Sequence, residues 1–282
     1  MTIQRIAAFS LDDRGGNPAG VHIDKTLPTP EDMQQIAADV GYSETVFAAP
    51  DTDQKSWIVR YFSPEQEVPF CGHATIALGA ALAMKEGGDT FHLQLSEADI
   101  TVEGQEVGNT FQAALQSPPT RSTAVTDDLL NQALDLFHLT EDDLDARIPP
   151  AVMEAGARHL VLALQSRSRL AEMAYDLEYG RDVMNSHGLV TVALVHAETD
   201  QQFRVRNAFA SGGVVEDPAT GAAAAALGGY LRDLDWPHGG EFIIRQGEDM
   251  GMPSRLTVTL SDERGSSIRV SGAARVMNPH AE

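Results

Sequence analysis

The chain has little of what most ligand-binding signatures require. Its 282 residues include one cysteine, Cys71. A single thiol excludes an intrachain disulfide, and the common zinc cages draw on several Cys or His at short spacing. His22, His92, His138, His159, His187, His196, His238 and His280 form no HxxxH or HExxH spacing, so no metal is assigned. No GxGxxG or GxxxxGK(S/T) run occurs, and nucleotide binding has no signal. Basic residues are scarce, with 20 Lys and Arg against 41 Asp and Glu and a net charge of −21. That balance argues against nucleic acid and anionic membrane as partners. No segment approaches the roughly eighteen uncharged apolar residues of a membrane span; the nearest, Ala222 to Tyr230, is short and Gly-rich. Met1 to Ser10 lacks a basic region, a long apolar run and a small-residue cleavage site. A soluble cytoplasmic protein is expected.

What is present is an ordinary core-forming chain, 43% hydrophobic, of a length that suits two compact domains. Ile3 to Phe9 reads as a strand, Gly15–Pro18 as a turn, and Val21 to Ile23 as extended. Thr29-Pro30-Glu31-Asp32 is a helix start with a hydroxyl cap, Pro at the first position and acids in the first turn; Gly41 is its stop. Strands follow at Val46–Ala49 and Trp57–Phe62, then a loop from Ser63 to Phe70. His73 to Lys85 is a helix apolar on every side, hence buried. Phe91–Leu95, Ile100–Val102 and Thr110–Leu115 read as strands, and Ser117–Thr123 as a linker.

The second half repeats the theme. Asp127–Phe137 and Arg169–Tyr179 are expected as helices, and His159–Leu164, Leu189–Val195 and Phe203–Phe209 as strands. A second small-residue helix runs from Ala222 to Leu231, before strands at Glu241–Arg245, Arg255–Leu260 and Ser267–Ser271. Strict strand–helix alternation is missing, so a doubly wound sheet is not expected. The pattern predicts an α+β protein of two pseudo-duplicated lobes, each a curved, barrel-like sheet around a central helix. The N-terminal lobe takes residues 1–116, completed by a strand in 272–282, and the C-terminal lobe takes 124–271.

Two segments stand at corresponding places. Cys71-Gly72-His73-Ala74-Thr75 opens the first buried helix, and Asp217-Pro218-Ala219-Thr220-Gly221 opens the second. Helix starts offer unpaired N–H groups and partial positive charge, so they attract anions. The pair suggests one site for a carboxylate substrate between similar lobes. Gly72 and Gly221 permit close approach to backbone N–H groups, although tight packing alone also accounts for them. Glu44, between a helix stop and an apolar strand, is expected to be partly desolvated, which favours general acid/base work. The competing reading is a solvated loop acid or a local cap. His73 sits where the positive helix end disfavours imidazolium; the alternative is a core histidine bonded to a loop carbonyl. Asp217, before Pro218, is first of all an N-cap, with catalysis an addition. Cys71 is a candidate thiolate at a helix start or simply a small buried apolar residue.

Together these pieces resemble the phenazine-biosynthesis PhzF-like family, within the diaminopimelate-epimerase-like fold. The resemblance rests on five segments in the same order: Gly16-Asn17-Pro18-Ala19-Gly20-Val21, Ser43-Glu44-Thr45-Val46-Phe47, Glu67-Val68-Pro69-Phe70-Cys71-Gly72-His73-Ala74-Thr75, Glu216-Asp217-Pro218-Ala219-Thr220-Gly221, and Gln246-Gly247 with Pro253-Ser254. It implies a cofactor-independent isomerase, a homodimer, and an active site in a cleft between two lobes. It implies that Glu44 moves a proton, with His73 and Asp217 as the other acid/base residues. It further implies that Asn17, Gly72, Gly221 and Ala222 bind substrate. In the best-understood member, which acts on trans-2,3-dihydro-3-hydroxyanthranilate, a Ser occupies the position of Ala222. The fold's epimerases face two cysteines; here Cys71 takes the first place and Asp217 is matched to the second, which leaves no thiol pair. The expected function is therefore isomerisation of a small cyclic or unsaturated carboxylic acid. Its rivals are an amino-acid racemase or epimerase using Cys71, and a non-catalytic carboxylate-binding or interaction protein.

Overall fold

The computed structural model describes residues 2–52, 55–96, 98–108 and 110–277. The chain folds as two compact units, one built from residues up to Gln116 together with the segment from Ser271 onward, the other from Ser117–Val270. The first unit contains β1 (Gln4–Ser10), β2 (Asn17–Ile23), α1 (Pro30–Val40), β3 (Thr45–Pro50), β4 (Ser56–Phe62), β5 (Glu67–Val68), α2 (Gly72–Glu86), β6 (Asp89–Gln94), β7 (Asp99–Val107) and β8 (Thr110–Gln116). The second contains β9 (Arg121–Ala124), α3 (Asp127–Leu136), β10 (Ala151–Glu154), β11 (Arg158–Ala163), α4 (Arg167–Ala171), α5 (Leu177–Ser186), β12 (Thr191–Thr199), β13 (Gln202–Ala208), β14 (Glu216–Asp217), α6 (Gly221–Asp233), β15 (Glu241–Gln246) and β16 (Ser254–Thr259). β17 (Arg269–Val276) then pairs antiparallel with β1, Ala8 opposite Ala274.

The pairing pattern is duplicated. In the first unit β1 runs antiparallel to β2, β2 parallel to β3, β3 antiparallel to β4, β4 parallel to β6, and β6 antiparallel to β7. In the second unit β10, β11, β12, β13, β15 and β16 repeat those relations in the same order. The two-residue strands β5 and β14 also match. Tyr61 stands opposite Val68, and Asn207 opposite Asp217.

Each unit wraps its sheet around one small-residue helix. α2 packs against β1, β2, β3, β6, β7 and β8, and every residue from His73 to Ala83 is buried. Such a helix needs close neighbours on all sides, and glycine supplies the closest. A Cβ on Gly104 of β7 would lie 2.2 Å from the carbonyl oxygen of Gly79 in α2, so strand and helix backbones touch there. α6 packs against β9, β10, β11 and β16. The amphipathic helices lie outside these cores: Met33 and Ala37 of α1 pack on Phe47 and Phe62, and α3 and α5 join a cluster with Leu160, Leu162 and Leu194.

The sequence reading needs correction in three places. The helix expected over Arg169–Tyr179 is two helices, because Asp176 caps a new start by accepting from the Tyr179 N–H at 2.8 Å. The expected linker Ser117–Thr123 is tied down: Ser117 N–H bonds Ile268 at 2.8 Å, Thr120 N–H bonds Gly265 at 3.0 Å, and β9 pairs with β10. The loop Ser63–Phe70 contains β5. Of the strand expected in 272–282, residues 278–282 lie outside the described residues, as does His280. Among the described residues, no helix is long and apolar enough to cross a membrane.

His159 of β11 is fully buried, with Nδ1 2.8 Å from the Thr191 hydroxyl. Burial pushes its pKa down from 6.5 to about 3. A base depressed in the folded state contributes stability that is complete above the unfolded value and is lost as pH falls from 6.5 toward 3. One such proton has a limiting slope of about 1.4 kcal/mol per pH unit. His159→Asn is expected to flatten the acid limb of a Tm-against-pH curve between those values; an unchanged slope sinks the assignment.

Candidate active site

The start of α2 is built by its neighbours. Cys71 is the N-cap residue in extended conformation (φ −143°, ψ 118°) and makes no side-chain cap hydrogen bond. The Thr75 hydroxyl donates to the Cys71 carbonyl at 2.7 Å and lies 2.7 Å from the Tyr61 hydroxyl. Burial pushes the Tyr61 phenol far above its ordinary value, so it stays neutral as part of this clamp. Ahead of the turn, Arg60 grips Glu67, with Nη2 2.5 Å and Nε 2.7 Å from its carboxylate oxygens.

Glu44 reaches the same place from another direction. Gly41, at φ 72°, stops α1, and the Glu44 carbonyl accepts from the Gly20 N–H of β2 at 3.2 Å. The Glu44 side chain, 14% exposed, then sets Oε2 3.4 Å from His73 Nε2. Ser43 Oγ lies 3.4 Å from the same nitrogen, and Cys71 Sγ lies 3.4 Å from Nδ1. A carboxylate, an imidazole and a thiol thus meet at the mouth of a helix whose first N–H groups have no side-chain cap. Such a group can hold a proton on Glu44 or His73 beside a bound anion. Among the described residues, Glu44, Cys71 and His73 are also the group that could hold a metal, their ligand atoms all lying within 4.8 Å of one another. Asn17, buried at the start of β2, stands on the strand whose Gly20 fixes Glu44.

The second unit builds its own helix start differently. Asp217 is not the N-cap; it belongs to β14, and Thr220 is the N-cap residue of α6, again without a side-chain cap bond. Pro218 sits in a three-residue link that separates strand from helix. The Thr220 hydroxyl donates to Asp217 Oδ2. Gln246 supports this loop from β15: its Nε2 donates to the Asp217 carbonyl at 2.7 Å, and its Oε1 accepts from the Thr220 N–H at 3.3 Å. Next to it Gly247, at φ 74°, passes so close that a Cβ would meet the Met252 carbonyl oxygen at 2.3 Å and that of Pro218 at 2.8 Å. Arg206 grips Glu216 bidentately, Nη2 to Oε2 at 2.5 Å and Nε to Oε1 at 3.1 Å, as Arg60 grips Glu67.

The duplicated register gives each residue a counterpart. Counting back from Gly72 and Gly221, Cys71 matches Thr220, and Val68 matches Asp217. The expected matching of Asp217 to the second cysteine of the epimerases is therefore corrected: that place is Thr220. His73 matches Ala222. Thr45 opposite Phe62 matches Val192 opposite Ala208, so Glu44 matches Thr191. The acid–imidazole–thiol group exists in the first unit alone. Sequence reasoning missed Ser43, Gln246 and Asn207 as individual contributors. Asn207, fully buried opposite Asp217, has neither side-chain amide atom hydrogen-bonded among the described residues. An uncompensated buried amide is costly, and no local sequence pattern marks it. A depression of about 650 Å³ lined by Arg232, Trp236 and His238 adjoins the far end of α6, away from Gly221, so volume alone does not locate this site.

The duplicated α+β architecture is that of the diaminopimelate-epimerase-like fold, which a solved PhzF-family phenazine biosynthesis protein of Bacillus anthracis shares at a TM-score of 0.85, with 21% identity over 98% of this chain and 96% of that one. The profile of the family described as phenazine biosynthesis-like protein, PhzC-PhzF, matches residues 6–279, and the chain belongs to that family. A trans-2,3-dihydro-3-hydroxyanthranilate isomerase of Pseudomonas aeruginosa is 30% identical over 95% of this chain and 94% of its own length. An uncharacterized isomerase of Bacillus subtilis is 28% identical over 95% and 93%. The protein is an enzyme of the isomerase class.

Gln246 is the buried prop of the Asp217–Thr220 loop. Gln246→Ala removes its hydrogen bonds and leaves the Thr220 N–H without this acceptor, a loss of about 2–3 kcal/mol. A lower denaturation midpoint at unchanged m-value is expected; a variant as stable as wild type would show that the loop holds itself.

Proposed function

We propose that this isomerase moves a proton on a small cyclic or unsaturated carboxylic acid, with Glu44 as the group that takes it up and returns it. The observation that carries the reading is the Glu44–His73 contact of 3.4 Å between largely buried side chains at an uncapped helix start. A carboxylate there sits beside an imidazole partner and beside N–H groups suited to a substrate carboxylate. In this reading backbone N–H groups at Gly72 and Gly221 and the side chain of Asn17 receive the substrate. His73 and Asp217 position it and share the proton traffic. The Pseudomonas aeruginosa relative's named substrate, trans-2,3-dihydro-3-hydroxyanthranilate, belongs to the same chemical class. Ala222 offers no hydroxyl to a substrate, so the proposal extends to the class and not to that compound. The reading also takes the enzyme as cofactor-independent, cytoplasmic and homodimeric, on the family resemblance.

The test begins with a panel of cyclic and unsaturated carboxylic acids in deuterated solvent, followed by NMR. Wild-type enzyme is expected to exchange a carbon-bound hydrogen and shift a double bond in at least one of them. Binding without any exchange would favour a non-catalytic carboxylate-binding protein. General acid/base groups contribute about 10²–10⁴-fold, so Glu44→Gln is expected to lower kcat by that factor with ligand affinity nearly unchanged. Undiminished turnover removes Glu44 from the role.

One observation favours a second reading, racemisation by thiolate: Cys71 Sγ lies 3.4 Å from His73 Nδ1, and an adjacent imidazole can activate a thiol. Its weakness is that the matching residue of the second unit is Thr220, which cannot serve as a second thiol. Cys71→Ala separates the two. Turnover close to wild type is expected under proton transfer by Glu44, and loss of turnover with inversion at a stereocentre under racemisation.

A further inference from the structure

We propose that Glu44, Cys71 and His73 bind one zinc(II) ion, and that zinc held there switches the enzyme off. Zinc is bound by thiolate sulfur at about 2.3 Å, imidazole nitrogen at about 2.0–2.1 Å and carboxylate oxygen at about 2.0–2.2 Å, in tetrahedral sites. Those radii place donor atoms about 3.3–3.6 Å apart along the edges of the tetrahedron. Taking His73 Nε2 as the ligand nitrogen, Glu44 Oε2 lies 3.4 Å and Cys71 Sγ 3.9 Å from it, and the ligand atoms of the three residues all lie within 4.8 Å of one another. Measured from that nitrogen, the carboxylate stands at ligand spacing and the thiol a few tenths of an ångström beyond it, so small side-chain rotations close the set on an ion.

The supports are rigid. The Cys71 backbone is held by Thr75, the Glu44 carbonyl by Gly20, and His73 lies in the first turn of the buried helix. The donor set also chooses among metals. Calcium and magnesium take oxygen ligands, whereas one sulfur, one nitrogen and one oxygen suit zinc, with water as the fourth ligand. The helix start carries partial positive charge, which opposes a cation; a thiolate and a carboxylate together outweigh it. On binding, the Cys71 thiol gives its proton to solvent and the Ser43 hydroxyl gives up its approach to Nε2. The second unit has Thr191, Thr220 and Ala222 at the matching positions, so the expected stoichiometry is one ion per chain.

The shut-off rests on the reading of Glu44 as proton carrier; the metal site does not. A carboxylate bound to zinc cannot accept a proton, and a ligating Nε2 has no lone pair to lend. Zinc would act here as a reversible brake whose removal by a chelator restores turnover.

The experiment uses the full chain. Equilibrium dialysis with zinc chloride measures binding without any substrate, and cobalt(II) substitution reports a thiolate ligand by its sulfur-to-metal charge-transfer absorption. One tight equivalent and a thiolate band are expected, both lost in Cys71→Ala and Cys71→Ser. The loss should be at least as large as the about 10–100-fold that removing an outer-shell partner costs metal sites. Circular dichroism checks that each variant folds, and the serine variant serves if alanine does not. No stoichiometric zinc, no thiolate band, or equal binding by a folded Cys71 variant overturns the site. With a turned-over acid in hand, wild type is expected to lose activity at one equivalent and recover it with EDTA, while the Cys71 variants stay active at that concentration. Zinc bound at full stoichiometry with turnover undiminished overturns the brake. Should Glu44→Gln prove active, the proton-carrier reading fails alone, because the dialysis and cobalt results do not depend on it.

Discussion

The structure depends on burying, in each unit, one helix that has no polar side. α2 is enclosed from His73 to Ala83, and α6 is buried at Gly221 and from Ala223 to Arg232. A helix of this kind can be stable only inside a sheet that bends around it. The bend requires small residues where backbones meet, as at Gly79 and Gly104. Each buried Leu or Ile then contributes about 1.5–3 kcal/mol, and the helix axis has almost no freedom left. A fixed axis means a fixed helix start, and at neither start does the N-cap residue, Cys71 or Thr220, make a side-chain cap bond. The functional geometry is thus a by-product of the core: the same packing that makes the helix buried makes its positive end an immovable part of the site.

Duplication supplied two such ends, and the side chains around them have diverged unevenly. What holds the ends in place is common to both: Arg60 with Glu67 and Arg206 with Glu216 clamp matching hairpins just before the helices. Arg60–Glu67 is partly exposed and Arg206–Glu216 largely buried; neither kind of pair contributes much net stability, but a bidentate guanidinium fixes one register of the short strand it grips. The ionisable side chains around the two ends are not shared. Glu44, Cys71 and His73 have Thr191, Thr220 and Ala222 as counterparts. The second unit instead places Asp217 where the first has Val68, one residue before the proline. Each unit therefore carries an acid near its helix start at a non-equivalent position, and the proposed reading is accordingly one of asymmetric proton transfer.

Much of this was legible from local sequence. The start of α1 at Thr29, its stop at Gly41, and the two Ala-rich helices each carry their own signal in capping chemistry or composition. The family's segments likewise named Glu44 and His73, which the structure brings within 3.4 Å of each other. What was illegible depends on contacts between distant segments. Glu44 meets His73 only because β2 pairs in parallel with β3 and so delivers the end of the α1 connection to the helix mouth. Asp217 passed for an N-cap because Asp-Pro before an apolar run is the usual signature; its pairing with Asn207 draws it back into a strand. The break between α4 and α5 turned on Asp176, a cap that an apolar periodicity conceals. Gln246 and Asn207 gain meaning only from the loop they face.

The two carboxylates also differ in how they are held, and that difference bears on their division of labour. Asp217 sits in a closed set of bonds: its own side chain accepts from Thr220, Thr220 is held by Gln246, and Gln246 returns to the Asp217 carbonyl. A carboxylate in such a loop moves only if several hydrogen bonds move with it. Glu44 has a fixed backbone, through Gly20, but its longer side chain ends beside an imidazole at 3.4 Å, looser than a settled charge-assisted bond. A group that must take a proton from one carbon and return it to another needs reach and a partner of changeable protonation. Under the proposed reading, Glu44 has both, and Asp217 has the rigidity wanted of a group that orients substrate. The same looseness lets three donors close on a zinc ion, so the freedom that suits Glu44 to proton transfer also exposes it to capture.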